Sequence, residues 1–388
     1  MSMDFALNEE QQAFQQAARE FAEGELTPNA ARWDADGHFC RDTLAKAGEL
    51  GFCGLYTPQH LGGLGLSRLE ASIIFEELAA GCTSTTAYLS IHNMATWMVA
   101  RWGGQAVCEQ WVSRLASGQA LASYCLTEAQ AGSDAASLRT RAERQRERYV
   151  LNGSKAFISG AGSTDLLVVM ARTGMDGASG ISAFAVPADT PGISFGKNEE
   201  KMGWKSQPTC AIHFDNVTIP AANLLGEPGQ GFAIAMKGLD GGRINIAACS
   251  VGTAQAALAR AGNYLKERIQ FGRELAQFQA LQFKLADMVT ELVAARQMVR
   301  LAAWKLDQES PDASVYCAMA KRFATDAGFA VANEALQLHG GYGYIREYPL
   351  ERHVRDTRVH QILEGTNEIM RLIVGRAILR EGATENIK

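Results

Sequence analysis

The chain has 388 residues, 47% of them hydrophobic and 20% charged, and a formal net charge of -5. This length exceeds what one ordinary hydrophobic core supports, so two or three domains are expected. The slight negative charge gives no general attraction to nucleic acid or to an anionic membrane, and we expect neither as a partner. Because no basic region followed by an apolar run is recognised at the start, the sequence predicts a cytoplasmic protein of bacterial type without a targeting segment.

Cysteine and histidine placement favours neither a disulfide framework nor a metal site. The eight Cys are scattered without a C-x-x-C pair, so we expect reduced thiols that are mostly buried. The seven His form no H-x-x-x-H or H-E-x-x-H pattern, so we expect no bound metal.

Residues from 8 to about 120 have the apolar period of helices. The first helix places Phe14 and Phe21 on one face and is predicted to stop at Thr27-Pro28. The most apolar stretch, Ala87 to Trp102, is too short and polar to span a bilayer. This part of the chain is therefore predicted to be a helical domain, residues 1–121.

Residues 122–230 change to short apolar runs separated by turn residues, which predicts a β-domain. The segment RYVLNGSKAFIS is predicted to be two strands joined by a turn at Asn152-Gly153. The basic cluster from Arg139 to Arg148 is interleaved with acidic residues and is predicted to be a solvated face.

The helical period returns in residues 231–388. From Gln279 to Gln308, apolar residues recur at 281, 285, 288, 292, 295, 299, 302 and 306, which is the seam of a bundle of long helices. Pro311 ends that helix, and the next is predicted from Asp312 to His339. The whole pattern predicts an α+β fold.

The sequence contains no complete nucleotide-binding or serine-hydrolase motif that would identify a class of enzyme. The segment GQGFAI has Ile234 where a dinucleotide fingerprint has its last Gly, and GYGYIR ends in Arg346. There is neither a phosphate-binding G-x-x-x-x-G-K-[ST] loop nor a G-x-S-x-G elbow. Composition and period alone indicate a soluble α+β enzyme of undetermined chemistry.

Six segments in chain order resemble the acyl-CoA dehydrogenase family. They are YCLTEAQAGSDAASL, LNGSKAFISGAG, the run from Met202 to Phe232, KERIQFG, LQLHGGYGY and RDTRVHQILEGTNEIMR. The resemblance covers essentially the whole chain and implies an N-terminal helical domain, a middle β-barrel-like domain and a C-terminal four-helix bundle. STTAYLSIHNM, GLDGGRINIA and FISGAG look closest to the branch that acts on isobutyryl-CoA in valine breakdown.

The resemblance implies FAD held without a Rossmann fold, between the β-domain and the bundle. Residues implied near the flavin are Tyr124, Leu126, Thr127, Ser133, Phe157, Ile158 and Ser159. Residues implied to contact the FAD of a neighbouring subunit are Arg268, Phe278, Gln279, Gln337, Leu338, His339, Gly340 and Gly341. Thr366, Asn367 and Glu368 are implied to touch FAD as well. Without the family, the first set is a strand end with a turn, Arg268 is a surface cation, and Gly340 is a helix C-cap.

Glu364 precedes a Gly at the start of an amphipathic helix, with Thr366 or Asn367 as the expected N-cap. By its position alone it could simply complement the helix dipole. Removing hydrogens from adjacent carbons of a thioester requires a base for the α-proton and an acceptor for the β-hydride. The resemblance implies that Glu364 is this base and that FAD is the acceptor.

The resemblance also implies acyl-CoA contacts at Ser133, Asp240, Gly241, Gly242, Arg243 and Arg376. Isovaleryl and long-chain relatives carry their base at the position of Gly242, so those branches are disfavoured. Since Cys82–Met98 contains no Lys or Arg, a neutral acyl group is expected. Two departures from the family are Ala129-Gln130 in place of Pro-Gly and Leu363 in place of Tyr.

The predicted function is therefore dehydrogenation of isobutyryl-CoA to methacrylyl-CoA. A butyryl-CoA or 2-methylbutyryl-CoA dehydrogenase, an oxygen-using oxidase of the same fold and a non-catalytic scaffold are the alternatives. The implied partners are an electron-transfer flavoprotein and further copies of the chain in a homotetramer, a dimer of dimers.

Overall fold

The computed structural model describes residues 6–381, and the first part of it is helical. The helices are α1 (Glu9–Phe21), α2 (Thr27–Asp36), α3 (Arg41–Glu49), α4 (Arg68–Gly81), α5 (Thr83–Trp102) and α6 (Gln105–Ala116). The Asn8 side chain accepts a hydrogen bond from Gln11 N at 2.8 Å, and Gln11 Oε1 accepts one from Asn8 N at 3.2 Å. This reciprocal capping starts α1.

The predicted stop at Thr27-Pro28 is wrong, because the helical path continues into α2 through a π-helical turn, Ala22–Leu26. Pro28 lies in the first turn of α2. Its missing N–H costs nothing there, since the first N–H groups of a helix have no intrahelical partner.

The middle of the chain forms one eight-stranded sheet. Its strands are β1 (Ala122–Cys125), β2 (Arg141–Gln145), β3 (Arg148–Ser159), β4 (Leu166–Arg172), β5 (Ile181–Pro187), β6 (Ile193–Phe195), β7 (Thr209–Pro220) and β8 (Leu224–Leu225). The order is β6-β7-β3-β2-β4-β5-β8, with β1 parallel to β4. Every residue of β4 is buried, as expected for a strand covered on both faces.

The predicted hairpin at Asn152-Gly153 is wrong. β3 runs straight through these residues, and its register against β7 shifts between Leu151 and Gly153. The Asn152 side chain accepts a hydrogen bond from Asn216 N at 2.9 Å, and Gly153 has φ +140°. The same residue types therefore form a β-bulge here, and the turn lies before β3, where Arg146 has φ +57°.

Long helices return after the sheet. They are α7 (Gly231–Glu267), α8 (Gln279–Asp307), α9 (Ala313–His339), α10 (Gly341–Tyr344), α11 (Leu350–Arg358) and α12 (Asn367–Glu381). The short strands β9 (Ile269–Gln270) and β10 (Arg273–Glu274) pair between α7 and α8. The predicted seam of α8 is confirmed, since Met288, Leu292, Ala295, Val299 and Ala302 are buried there.

The helical parts at the two ends share one hydrophobic core. Phe21 and Leu78 belong to the same buried cluster as Ile244, Val299 and Val331. A second cluster joins α5 and α6 to β4, β5 and the first turns of α7, and a third fills the sheet. The first half of α7 therefore lies where the sheet meets the helices.

Residues 6–381 contain neither a helix suited to cross a membrane nor a cluster of metal ligands. None of the described helices is both long and apolar enough to cross a membrane. The described residues contain no group of three or more His, Cys, Asp or Glu that could hold a metal ion. The eight Cys are free thiols, and all but Cys108 are buried.

Candidate active site

Glu364 lies in a tight turn between α11 and α12. Its φ is +55° and that of Gly365 is +88°, both in the left-handed region that non-Gly residues rarely occupy. The turn is held through its main chain. Arg243 Nε donates a hydrogen bond to Glu364 O at 3.3 Å, and Lys321 Nζ donates one to Gly365 O at 2.7 Å. Such strain persists where its surroundings enforce it, which is frequent at functional sites.

The carboxyl group of Glu364 faces the first half of α7. Its Oε2 atom is buried and has no hydrogen-bond partner in the described structure, although the residue as a whole is partly exposed. A Cβ added at Gly242 would lie 2.5 Å from this oxygen. Burial raises the pKa of Glu364 to about 7, opposed by the positive charges of Arg243 and Lys321. A carboxylate with this pKa can accept a proton near neutral pH.

Arg243 is a buried cation with a defined partner. Its Nη1 atom lies 2.7 Å from Asp240 Oδ1, and Ser314 Oγ donates a hydrogen bond to the other carboxylate oxygen. Of the predicted acyl-CoA contacts, Asp240, Gly241, Gly242 and Arg243 thus lie together on the buried first half of α7. The hydrogen bond from Arg243 to Glu364 O joins this segment to the turn.

Two predicted flavin segments of the sheet lie side by side. Ala156 N donates to Thr127 O at 2.9 Å, and Lys155 Nζ donates to Leu126 O at 3.0 Å. Phe157 sits in a β-bulge with φ +58° and is 65% exposed, an unusual setting for an aromatic ring. Its neighbours Ile158 and Ser159 resume pairing with β7.

Tyr124 lies on β1 and is influenced by the charge of Glu364. Its hydroxyl is buried without a hydrogen-bond partner in the described structure. Burial and then the negative charge of Glu364 raise the Tyr124 pKa well above its ordinary value. Tyr124 and Glu364 are therefore close enough to interact electrostatically, and each has a buried polar atom without a hydrogen-bond partner in the described structure.

The other residues predicted near this site differ in their surroundings. Thr366 Oγ1 accepts a hydrogen bond from Ile369 N at 3.3 Å and so caps α12. Asn367 is buried, and its side chain is hydrogen-bonded to α9. Ser133, Glu368 and Arg376 are exposed. Thr366 and Asn367 therefore fix the end of the Glu364 turn, Thr366 by capping α12 and Asn367 by its hydrogen bonds to α9.

The remaining predicted cofactor residues form a second group. An open cleft of about 460 Å³ is lined by Arg268 and by the run Gln337, Leu338, His339, Gly340 and Gly341, among others. The Arg268 guanidinium lies 5.6 Å from the centre of the Tyr342 ring. Phe278 and Gln279 begin α8 nearby, on the segment that follows β10.

Arg268 in the second group lies far along α7 from the predicted acyl-CoA contacts. Arg243 and Arg268 are 25 residues apart on α7 and its C-cap. At 1.5 Å per residue this separates them by about 38 Å. The cleft at Arg268 therefore lies far from the Gly242–Glu364 contact.

Several buried charged side chains among the described residues were not predicted from the sequence. Lys321 lies on α9 beside the turn, Lys155 forms a buried ion pair with Glu128, and Arg68 packs over the Tyr56 ring at 3.5 Å. Lys321 does have a sequence signal, because it falls in the apolar register of a helix that contains Cys317 and Ala324. A charged residue at a core position often has a function or a specific partner.

The chain matches three family models in order. These are the N-terminal domain of acyl-CoA dehydrogenase over residues 8–119, its middle domain over 123–217 and its C-terminal domain over 229–379. The predicted α+β fold of helical, sheet and helical parts is confirmed. The domain limits at residues 121 and 230 stay a prediction.

Two relatives carry the name isobutyryl-CoA dehydrogenase, mitochondrial. That of Bos taurus is 56% identical over 375 residues, covering 97% of this chain and 90% of the relative. That of Dictyostelium discoideum is 51% identical over 376 residues, with the same shares covered. The expectation of a bacterial cytoplasmic protein is wrong in the light of these mitochondrial relatives from eukaryotes. Since a cleavable targeting segment lies outside the folded domains, the motifs of those domains do not show the compartment.

Solved structures share the whole fold. Butyryl-CoA dehydrogenase from Megasphaera elsdenii has a TM-score of 0.94 and 41% identity, with 97% of this chain and 100% of that one covered. PigA with FAD and proline has a TM-score of 0.95 and 29% identity, with 98% and 100% covered. Since proteins with such different ligands superpose equally well, the fold alone does not give the substrate.

Proposed function

The chain belongs to the acyl-CoA dehydrogenase family, and we propose that it oxidises a short branched acyl-CoA, preferably isobutyryl-CoA to methacrylyl-CoA. It is a flavoprotein oxidoreductase that acts on CH–CH groups. In the proposed reaction Glu364 removes the α-proton of the thioester. FAD, when bound, supplies the acceptor for the β-hydride.

The observation that carries this proposal is the Glu364 carboxyl group. Its Oε2 atom is buried without a hydrogen-bond partner in the described structure, and burial raises its pKa to about 7. A surface glutamate that only complements a helix dipole would be solvated and would not have this pKa. The carboxylate instead has the basicity that an acid-base catalyst needs at neutral pH.

The main chain of the same turn can polarise the substrate. Within residues 6–381 the Glu364 N–H has no hydrogen-bond acceptor, and the left-handed turn leaves it free. We propose that it donates to the thioester carbonyl, which acidifies the α-carbon next to the base. Gly242 leaves room for the acyl group because any side chain there would meet the carboxylate.

The residues around this site fit a flavin. Phe157 offers an exposed aromatic face, and Tyr124 has a buried hydroxyl without a partner in the described structure. Leu126, Thr127 and Ser159 would position the ring system through the adjoining strands. These features support FAD as the cofactor.

The second group of residues supports a homo-oligomer. The family resemblance assigns these residues to the FAD of a neighbouring subunit, and Arg268 lies about 38 Å along α7 from Arg243 at the proposed acyl-CoA contacts. In this proposal the cleft formed by Arg268, Gln337 and Gly340 receives the FAD of a second copy, and Arg268 pairs with its pyrophosphate. The proposed assembly is a homotetramer built as a dimer of dimers, with an electron-transfer flavoprotein as electron acceptor.

The acyl group is assigned by relatedness. Two relatives at 56% and 51% identity are named for isobutyryl-CoA, which supports a branched four-carbon acyl group and a place in valine breakdown. Butyryl-CoA and 2-methylbutyryl-CoA remain alternatives, because one methylene changes selectivity by only about 1–3 kcal/mol.

A panel of acyl-CoA esters with an artificial electron acceptor tests the proposal. We expect the highest kcat/KM for isobutyryl-CoA, lower values for butyryl-CoA and 2-methylbutyryl-CoA, and the lowest for octanoyl-CoA. Highest efficiency with octanoyl-CoA or isovaleryl-CoA would overturn the branch assignment. Stoichiometric hydrogen peroxide formation in air would favour an oxidase, and a colourless protein that FAD does not reconstitute would favour a scaffold.

A further inference from the structure

Lys321 is a buried cation without a carboxylate partner. It is 0% exposed on α9, and no Asp or Glu oxygen within residues 6–381 lies within 4 Å of its Nζ atom. Burying an unpaired ammonium group is costly, so such a lysine needs compensating interactions. Arg243, the other buried cation beside the turn, has Asp240 as its partner.

The compensating interactions all come from the turn that carries Glu364. Lys321 Nζ donates to Gly365 O at 2.7 Å and to Asn367 Oδ1 at 2.9 Å. Asn367 is itself fixed to α9, since its Nδ2 atom donates to Asp326 Oδ1 at 2.7 Å and to Thr325 Oγ1 at 3.0 Å. Lys321 therefore ties the left-handed turn to α9.

The electrostatic surroundings of the carboxylate extend beyond Lys321. The charged or titratable groups that face this region are Arg243 and Asp240 on α7, Lys321 and Asp326 on α9, Glu368 on α12, Tyr124 on β1, Arg68 on α4, and Tyr56 and His360 in loops. Burial lowers the pKa of Lys321 to about 7, and the negative charge of Glu364 acts in the opposite direction. Each of these two groups thus stabilises the charged form of the other.

We propose that Lys321 is a positioning residue for the proton-abstraction step: it holds the Glu364–Gly365 turn in its left-handed conformation and places a positive charge beside the base. This inference depends on the proposed role of Glu364 as that base. Lys321 does not touch substrate in this account. It acts through the geometry and the proton affinity of Glu364.

The two contributions of Lys321 can be separated. Lys321→Met removes both the hydrogen bond to Gly365 O and the charge, whereas Lys321→Gln keeps an N–H donor and removes the charge. Loss of a cation near a carboxylate raises the carboxylate pKa by about 1 unit or more. Since the base must be deprotonated, the acidic limb of the kcat/KM profile should move to higher pH in both variants.

The experiment compares pH profiles of the FAD-loaded parent, Lys321→Met and Lys321→Gln. We expect the apparent pKa of the acidic limb of kcat/KM to increase by about 1 unit in both Lys321 variants. Relative to the parent, their activity should therefore fall about tenfold more at pH 6 than at pH 9. The pH-independent rate should fall further in Lys321→Met than in Lys321→Gln, because the methionine also releases the turn.

Lys305→Met is the matched control. Lys305 pairs with Asp312 and lies 4.0 Å from the Tyr316 ring centre, at the junction of α8 and α9. The Lys305→Met variant should have lower thermal stability than the parent and the same pH profile of kcat/KM. Thermal unfolding and FAD content, measured on all variants, give readouts that do not depend on turnover.

The outcomes separate this inference from the proposed function. If Glu364→Gln is inactive but both Lys321 variants keep the parental acidic limb, the inference about Lys321 is wrong and Glu364 remains the base. If Glu364→Gln is active, the proposed function itself is wrong. Should Lys321→Met fail to fold, an unchanged limb in Lys321→Gln still overturns the inference.

Discussion

Lys155→Met should destabilise the protein and release FAD. Lys155 and Glu128 form an ion pair at 2.8 Å with side chains 0% and 2% exposed. Lys155 Nζ also donates to Leu126 O at 3.0 Å, which fixes the segment that carries the predicted flavin contacts. Methionine keeps an unbranched apolar stem one atom shorter than that of lysine and removes both interactions.

The expected loss of unfolding free energy depends on the groups that Lys155→Met leaves buried without a partner. Removing one partner of a buried ion pair costs about 3–5 kcal/mol, because the other charge remains buried. Glu128 keeps hydrogen bonds from Arg139 N at 2.7 Å and Thr140 N at 2.9 Å, which places the expected loss near the lower end of that range. Loss of the donor to Leu126 O adds about 1 kcal/mol. A total of about 3–4 kcal/mol is therefore expected.

Denaturant unfolding and the ratio of flavin to protein absorbance measure these two effects. Lys197→Met is the matched control, since its ion pair with Glu200 has side chains 84% and 87% exposed and should contribute almost nothing. Adding Glu128→Gln to Lys155→Met should recover part of the stability by removing the unpaired charge. An unfolding midpoint and FAD content equal to those of the parent in Lys155→Met would refute the reasoning.

Three further substitutions or conditions test other parts of the account. Arg268→Ala should lower FAD affinity by about tenfold or more through loss of a charge-assisted contact, with little change in the stability of the apoprotein; unchanged affinity in a titration would contradict the cross-subunit site. Gly242→Ala places a Cβ against Glu364 Oε2, and a displacement of the carboxylate by about 1 Å can lower kcat by up to about 10²-fold. The control Gly262→Ala, on the same helix, meets no atom within 4 Å and should retain activity. Equal activity of the two variants would show that the carboxylate position is not critical. Because the pKa of Glu364 is raised to about 7, kcat/KM should fall as pH decreases through this value, and a profile flat from pH 5 to 8 would contradict its role as a base.

The helical architecture follows closely from the sequence because its signals are local. The seam of α8 repeats every three or four residues, and the packing of Met288, Leu292 and Val299 against α7 and α9 is what that repeat predicts. Pro311 marks a helix end by its fixed φ and missing N–H, and Gly340 marks one because glycine readily adopts the positive φ of +58° found there.

Local signals fail where the partner is distant in the chain. Asn152-Gly153 has the composition of a hairpin turn, but its conformation is decided by pairing with Asn216 and the rest of β7. Pro28 has the composition of a helix stop, yet a π-helical turn lets the chain continue. At Asn152-Gly153 tertiary pairing overrides the local preference, whereas at Pro28 a second local rule applies, because proline is accommodated in the first turn of a helix.

The same limit applies to the candidate site. The family motif predicted Glu364 as the base. The structure adds that its Oε2 atom is buried and that burial raises the pKa of its carboxyl group to about 7. The hydrogen bonds of Lys321 and Arg243 to the turn were not readable from the sequence, since their partners are 44 and 121 residues away. Contacts over such separations are set by the folded structure.

The most direct test of the central claim is anaerobic single-turnover reduction of the FAD-loaded Glu364→Gln variant by isobutyryl-CoA. Glutamine keeps the size of the side chain and cannot accept the α-proton, so FAD content, thermal stability and CoA-ester binding should change little. Loss of the general base should slow bleaching of the flavin absorbance by at least about 10²–10⁴-fold relative to the parent. Bleaching at nearly the parental rate would contradict the account and would show that Glu364 is not the base.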